Sequence, residues 1–437
     1  MAWWNRKLKR KLADLEVQLQ GIQASTTKLS DLTQWAELFG GSATWAGPVV
    51  SADTALKISA VWGCVRLIAS SVSSSPAEIF QNLLKDDKEI AQVILNHKYR
   101  SLLQNRPNPF ITASTFWKFI INHKLISGNA YALIFRKGSE IEYLLPIKPS
   151  RVQPCQAWEI GLDKKLGVEK HRLYYQVTLD HGEFKLIDQD DMLHFPNLGW
   201  DGKRGLSTIS HAAQSFGLAM AEEEYGARFF GQGASFQYAI SYPAKLGDAA
   251  IDRLRNNLIE RQHGMSNVAL PLVLTEGGDI KPFSMSARDG QVIESRQFSV
   301  IDICRWFGVP PVMNYEMEKT TSFGQGIEQM ARWFVMFTLN DHFTDIEQEL
   351  NTKLFRNDGH FIKFDESELT RGDTQTRYNA YKIALGGTQN PGFMSPNEAR
   401  KLEGLPPDND PASNKIYRFK EGANVQPKVP PGGGSHD

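Results

Sequence analysis

The apolar residues of this chain turn from mainly strand-like to mainly helical spacing near Gly205, and that change limits the folds open to it. Between Tyr131 and Phe195 they come in short alternating runs: Tyr131–Arg136, Glu142–Pro146, Leu173–Leu179, Phe184–Ile187 and Met192–Phe195. Alternation turns one face of a strand to a core, and short runs parted by turns favour antiparallel hairpins. Beyond Gly205 the steps become three and four, the spacing of one helix face. Helices are expected over 206–230, 247–262 and 289–307, the last stopped by Gly308-Val309-Pro310-Pro311, because proline cannot continue a helix. The longest is expected over about 325–355, where Leu339, Phe343, Ile346, Leu350 and Leu354 form a stripe. At about 1.5 Å per residue it would reach roughly 45 Å. Antiparallel hairpins segregated from the helices make the first half α+β and exclude a doubly wound βαβ series.

Two helices precede the strands. The first, capped by Asp53 or Thr54, places Ile58, Val61, Val65, Ile68 and Val72 on one face. Ser73-Ser74-Ser75-Pro76 stops it and a strand-like Ala77–Phe80 follows. Pro107-Asn108-Pro109 forces a turn; Thr112 then caps a helix carrying Phe116, Phe119, Ile120 and Leu125 that ends near Gly128. A short β pair, Ala269–Leu274 with Ile280–Phe283, is expected around Glu276-Gly277-Gly278-Asp279. A strand at Phe361–Phe364 leads to a small helical region, where Ser395-Pro396-Asn397-Glu398 is a capping box with proline at the first helical position.

The ends differ from this body. Residues 1–40 read as a flexible arm, with Leu8, Leu12, Leu15 and Leu19 at helical spacing behind the cluster Arg6–Lys11. Such an arm packs on a neighbouring subunit or, with Trp3 and Trp4, anchors at a membrane surface. Residues 423–437 are Pro/Gly-rich and read as disordered.

Composition excludes more than it selects. Lys plus Arg number 49 and Asp plus Glu number 49, so there is no cationic excess of the kind that holds nucleic acid tightly. A surface past which DNA slides needs none. Cys64, Cys155 and Cys304 lie far apart without a CxxC, so each reads as a small buried hydrophobe and a reducing place of synthesis is expected. No apolar run approaches the roughly 20 residues of a membrane span. The chain holds no GxxxxGK(S/T), HExxH, GxSxG or GxGxxG. Asp188, Asp190 and Asp191 are the densest carboxylates, but they fall at a strand-to-strand turn, where Asp bends and caps backbone. His194 alternates with apolar neighbours and reads as a hydrogen-bonded, partly buried histidine. Glu347 and Glu349, two apart on a helix, point to different sides and read as solvated surface. No nucleophile, base and orienting group come together, so no enzyme, catalytic residue, metal or cofactor is expected.

Seven short motifs occur in order. They are Thr54–Ala69; Asn105-Arg106-Pro107-Asn108-Pro109-Phe110 with Phe116-Trp117; Gly128-Asn129-Ala130-Tyr131; Met192-Leu193-His194-Phe195; Gly205-Leu206-Ser207; Phe307-Gly308-Val309-Pro310-Pro311; and Asn397-Glu398-Ala399-Arg400 with Glu403-Gly404-Leu405. Together they resemble the portal proteins, or head–tail connectors, of long-tailed siphophages over about residues 40–420. The long N-terminal segment departs from that pattern.

The resemblance implies a portal fold and a ring oligomer, a dodecamer, around a channel for double-stranded DNA. It implies a wing at 41–246, stem helices at 247–262 and 289–312, and a small β-containing clip at 263–288. A tunnel loop at 313–325, a tunnel helix with a wing strand at 326–365 and a helical crown at 366–422 follow. Its implied partners are non-specific duplex DNA, the large terminase subunit, major capsid and scaffold protein, and a head-completion adaptor, with no membrane. The place is the capsid portal vertex of the virion, after synthesis in the host cytoplasm. Lys319, Thr320, Thr321, Ser322 and Gly324 would then face the DNA; hydroxyls and a lone lysine touch phosphates without reading bases. His263, Asn267, Lys281 and Arg288 would be clip contacts for terminase or adaptor. Arg253, Arg255, Arg261, Arg296 and Arg305 would face the bore, or pair across subunits with Asp252, Glu260, Glu294 and Asp302. Two other readings stay open on the residues alone: a metal-dependent phage nuclease or hydrolase using Asp188–Asp191, and a membrane-associated scaffold using Trp3, Trp4 and the basic cluster.

Overall fold

The computed structural model describes residues 41–85, 88–138, 140–180, 182–231, 238–241, 247, 251–252, 279–282, 286–316, 325–356, 359–370, 374–387 and 390–418. The chain divides into two compact units, residues 1–366 and 367–437.

In the first unit the strands are β1 (Ser42–Ala43), β2 (Val49–Val50), β3 (Ala77–Lys85), β4 (Lys88–Val93), β5 (Asn129–Lys137), β6 (Glu140–Ile147), β7 (Val152–Gln156), β8 (Leu173–Thr178), β9 (Phe184–Asp188), β10 (Met192–Pro196), β11 (Tyr238–Ser241), β12 (Asp279–Pro282) and β13 (His360–Phe364). Every described pair is antiparallel. Three sheets have three strands each, in the orders β10-β5-β6, β7-β8-β9 and β13-β3-β4. Tyr131, Val152, Tyr175, Val177, Ile187 and Met192 form one buried cluster that ties the first two sheets together. Strand β7, unread in the sequence, carries Pro154. A proline cannot donate to a ladder, so it weakens a strand pattern, and it is tolerated here because β7 is an edge strand.

The longer helices are α1 (Ser59–Ser74), α2 (Ala113–Ser127), α3 (Ala213–Gly231), α4 (Ser286–Phe307), α5 (Gln325–Phe334) and α6 (Asn340–Leu354). Val61, Val65, Ile68 and Val72 of α1 are buried as their spacing requires, each contributing about 1.5–3 kcal/mol. The cap expected at Asp53 or Thr54 is instead Ser51, in a capping box with Thr54 that opens a short turn, Ala52–Ala55. Thr112 caps α2, and Gly128 ends it at φ +76°. The single helix expected over 206–230 is broken at Ala212 into Thr208–His211 and α3. Strand β12 pairs with β11, a segment the sequence assigned to the wing; Ala269–Leu274, its expected partner, lies outside the described residues, as does most of 247–262.

In the second unit, α7 (Thr374–Leu385) and α8 (Pro396–Leu402) are joined by polar contacts. Ser395 and Glu398 form the expected capping box, and Tyr381 donates to Glu403 at 2.9 Å. Asn397 bonds both backbone groups of Asp408, at 2.7 and 3.0 Å.

Candidate functional site

Residues 325–354 form one helical rod, not regular throughout: a π-turn, Val335–Leu339, lies between α5 and α6. A π-turn adds one residue to the turn and is rare, occurring mostly as single bulges inside α-helices and often at functional sites. Here the Thr338 hydroxyl donates to the Gly308 carbonyl at 2.5 Å. Gly308 has φ +66°, a conformation that L side chains rarely adopt. The Phe307–Pro311 motif thus marks where the chain leaving α4 meets the π-turn.

Beyond the π-turn the rod is anchored on three sides. Leu339, Phe343, Ile346, Leu350 and Leu354 are buried, as the stripe predicts. On α2, Lys124 is fully buried and donates to Oδ2 of Asp345 at 2.5 Å and to Nδ1 of His342 at 3.1 Å. Burial, then the charge of Lys124, depresses the His342 pKa to about 3. Polar residues on α6 then meet two sheet edges. Glu349 accepts the His194 N–H of β10 at 2.7 Å, and Lys353, ion-paired with Glu349, donates to the Met192 carbonyl at 2.5 Å. Glu347 accepts the Phe364 N–H of β13 at 2.7 Å. Asn351 accepts the Ile362 N–H at 2.7 Å and donates to its carbonyl at 3.3 Å. Strands β10 and β13 are both at sheet edges, whose unpaired N–H and C=O groups need partners. Glu347 and Glu349 do diverge as their spacing requires, but they are not solvated surface: each serves a different sheet. Burial pushes the Glu347 carboxyl up from its ordinary range.

Three motifs meet at one joint. Asn129 accepts from the Gly205 N–H at 2.8 Å and from His194 Nε2 at 2.9 Å, and donates to the Gly205 carbonyl at 3.0 Å. With Nε2 donating, His194 Nδ1 accepts from the Tyr175 hydroxyl at 3.1 Å. A Cβ on Gly128 would lie 2.4 Å from the Leu206 carbonyl carbon, and one on Gly205 would lie 2.4 Å from the Asn197 backbone. Glycine is required because backbone crosses backbone there. His194 is more buried than its pattern implied; burial first, then Lys353 and Arg204, depresses its pKa to about 3. With both ring nitrogens engaged it cannot serve as a general base.

The acidic cluster is held by arginines. Arg172 bonds both Asp188 oxygens, at 2.5 and 3.0 Å, and Asp190 at 2.8 Å. Arg136 bonds Asp191 at 2.8 Å. Asp188 also caps the turn through the Asp190 N–H. These carboxylates do the work of a turn, which removes the basis for the nuclease reading. Among the described residues no helix is long and apolar enough to cross a membrane.

Most of the loop and stem residues named from the sequence are not brought into view. Lys319, Thr320, Thr321, Ser322, Gly324, His263, Asn267, Arg253, Arg255 and Arg261 lie outside the described residues. Lys281 pairs opposite Ala239 in the β11–β12 ladder, and Arg288 lies in the first turn of α4. Arg305 pairs with Asp302 in its own helix at 3.6 Å and covers the Phe298 ring at 5.5 Å. Arg296 is exposed beside Gly226 of α3. Glu222, on the helix expected over 206–230, ties α3 to Ser295 and Ser299 of α4.

A family model described as phage portal protein matches residues 59–404. The portal protein of Enterobacteria phage HK97 is 29% identical over 363 residues, 82% of this chain and 81% of that protein. Among solved structures, the neck of a native gene transfer agent particle, computed with C12 symmetry, aligns with a TM-score of 0.52 at 22% identity, covering 80% of this chain and 91% of that one. A crystallised HK97-family portal protein from Corynebacterium diphtheriae aligns at 0.51 and 18% identity, covering 72% and 94%. The match takes in α1 through α8, and hence the rod with both its edge contacts.

Proposed function

The chain belongs to the phage portal protein family and functions as a portal protein; on that premise we propose that it assembles as a dodecameric ring around a channel for duplex DNA. Twelve-fold symmetry is that of the gene transfer agent neck it is similar to. The observation that carries the proposal is the anchored rod. Residues 338–353 are fixed to α2 and to two sheet edges, while the start of the rod follows the loop 313–325. A loop rooted in so fixed a support can touch moving DNA without displacing the wing.

In this reading 41–246 is the wing, 247–262 and 289–312 the stem, 263–288 the clip, 313–325 the tunnel loop and 366–422 the crown. Lys319, with Thr320, Thr321, Ser322 and Gly324, contacts phosphates; His263, Asn267, Lys281 and Arg288 meet terminase or the adaptor that replaces it. Equal numbers of cationic and anionic side chains, 49 of each, suit a bore that must not grip, since each phosphate neutralised strengthens binding. Electron microscopy of the purified full-length protein tests the ring. Class averages with a central hole wide enough for duplex DNA support it. Monomers alone, both by themselves and with scaffold and capsid protein present, would overturn it.

A further inference from the structure

Two of the three cysteines, distant in sequence, are neighbours in space. Cys64 of α1 and Cys304 of α4 are both free and buried, with their sulfurs 3.8 Å apart. Asn314 lies against the pair, its amide nitrogen 3.5 Å from each sulfur and 3.0 Å from the Ala60 carbonyl. A Cβ on Gly63 would fall 1.9 Å from the Asn314 side-chain oxygen, so glycine is needed there for Asn314 to reach the sulfurs. Asn314 also lines an open groove of about 770 Å³ with Trp62, Gly63, Phe119 and Tyr315. The thiols are therefore one side chain away from a solvent path.

We propose that Cys64 and Cys304 are a modification site for hydroperoxides, which convert them into a disulfide joining α1 to α4. The Cys304 sulfur attacks the near oxygen of hydrogen peroxide, the O–O bond breaks, and the released hydroxide takes the thiol proton and leaves as water. Cys64 then attacks the resulting sulfenic sulfur; its S–O bond breaks and hydroxide leaves with the Cys64 proton as a second water. Two thiols lose two electrons and one peroxide becomes two waters. Cys304 goes first because hydrogen bonds from Cys64 and Asn314 favour its thiolate, whereas Cys64, as donor to Cys304 and buried, is held as the thiol. Disulfide formation needs the sulfurs to close from 3.8 Å to about 2.05 Å. The bond would fix the last turn of α4, and with it the segment Val309–Glu316, to α1.

The test treats the full-length protein with graded hydrogen peroxide, blocks remaining thiols with iodoacetamide and maps peptides without reduction. A linked Cys64–Cys304 peptide, reversed by dithiothreitol, with Cys155 still alkylated, is expected. Cys64→Ser should leave Cys304 as a sulfenic acid captured by dimedone, and Cys304→Ser should leave Cys64 a thiol. The proposal is overturned if no linked peptide forms while the protein stays folded, or if Cys155 is consumed as fast as the pair.

Discussion

Lys124 can be buried because Asp345 and His342 reach it, at 2.5 and 3.1 Å. The two ends of that ion pair differ: Lys124 has no solvent contact, whereas the Asp345 side chain is 40% exposed. Removing Asp345 strands an ammonium in the core; removing Lys124 leaves a carboxylate that water can reach. Asp345→Ala should therefore cost about 3 kcal/mol, and Lys124→Met clearly less. Urea unfolding of both variants checks the asymmetry, and equal losses would contradict it. His194 and His342 make a second prediction at this scale. Their folded pKa values are depressed to about 3, against about 6.5 unfolded. The unfolded chain binds the extra protons between these values. The stability they contribute is present above about pH 6.5 and is lost as pH falls toward 3, by up to about 1.4 kcal/mol per pH unit for each histidine. Urea midpoints should fall from pH 7 to pH 5, and His342→Asn should flatten that fall.

Among the elements, the rod beyond the π-turn depends on side chains that complete other elements' ladders. Glu349→Ala leaves the His194 N–H without its acceptor and Lys353 without its counter-ion. A loss of about 1–3 kcal/mol is expected, with faster hydrogen exchange along β10 and unchanged exchange at β13; equal exchange at both edges would refute separate service. The sequence told only part of this. It placed the buried stripe, the caps at Thr112 and Ser395, and five of the six strands between 129 and 196, because those signals are local. It showed that Glu347 and Glu349 diverge but not what they meet, since the acceptor and its partner N–H are 155 residues apart for Glu349 and 17 for Glu347. The π-turn was illegible for the same reason: the Gly308 carbonyl that holds it is 30 residues from Thr338. Cys64 and Cys304, 240 residues apart, read as isolated. Three of the motifs proved to be one joint: Gly128, Asn129, His194 and Gly205 fix where backbones cross.

For the whole molecule, ring closure changes what a single charge does. In one chain, a lone Lys319 between Glu316 and Glu318 gives little attraction for DNA. On the proposed tunnel-loop reading, a ring of the C12 symmetry found in the gene transfer agent neck would turn the same lysine into a belt around the bore. The belt should show itself in salt dependence, because each phosphate neutralised contributes about −0.9 to the slope of log affinity against log salt. Lys319→Ala rings should assemble normally, bind duplex DNA more weakly at low salt, and show a shallower slope, while Thr320→Val should leave the slope unchanged because a hydroxyl releases no counterion. Binding by assembled rings at several salt concentrations measures this. Identical slopes for wild type and Lys319→Ala would remove the lysine from the channel and move the DNA contact elsewhere, the exposed Arg296 of α4 being the next residue to replace.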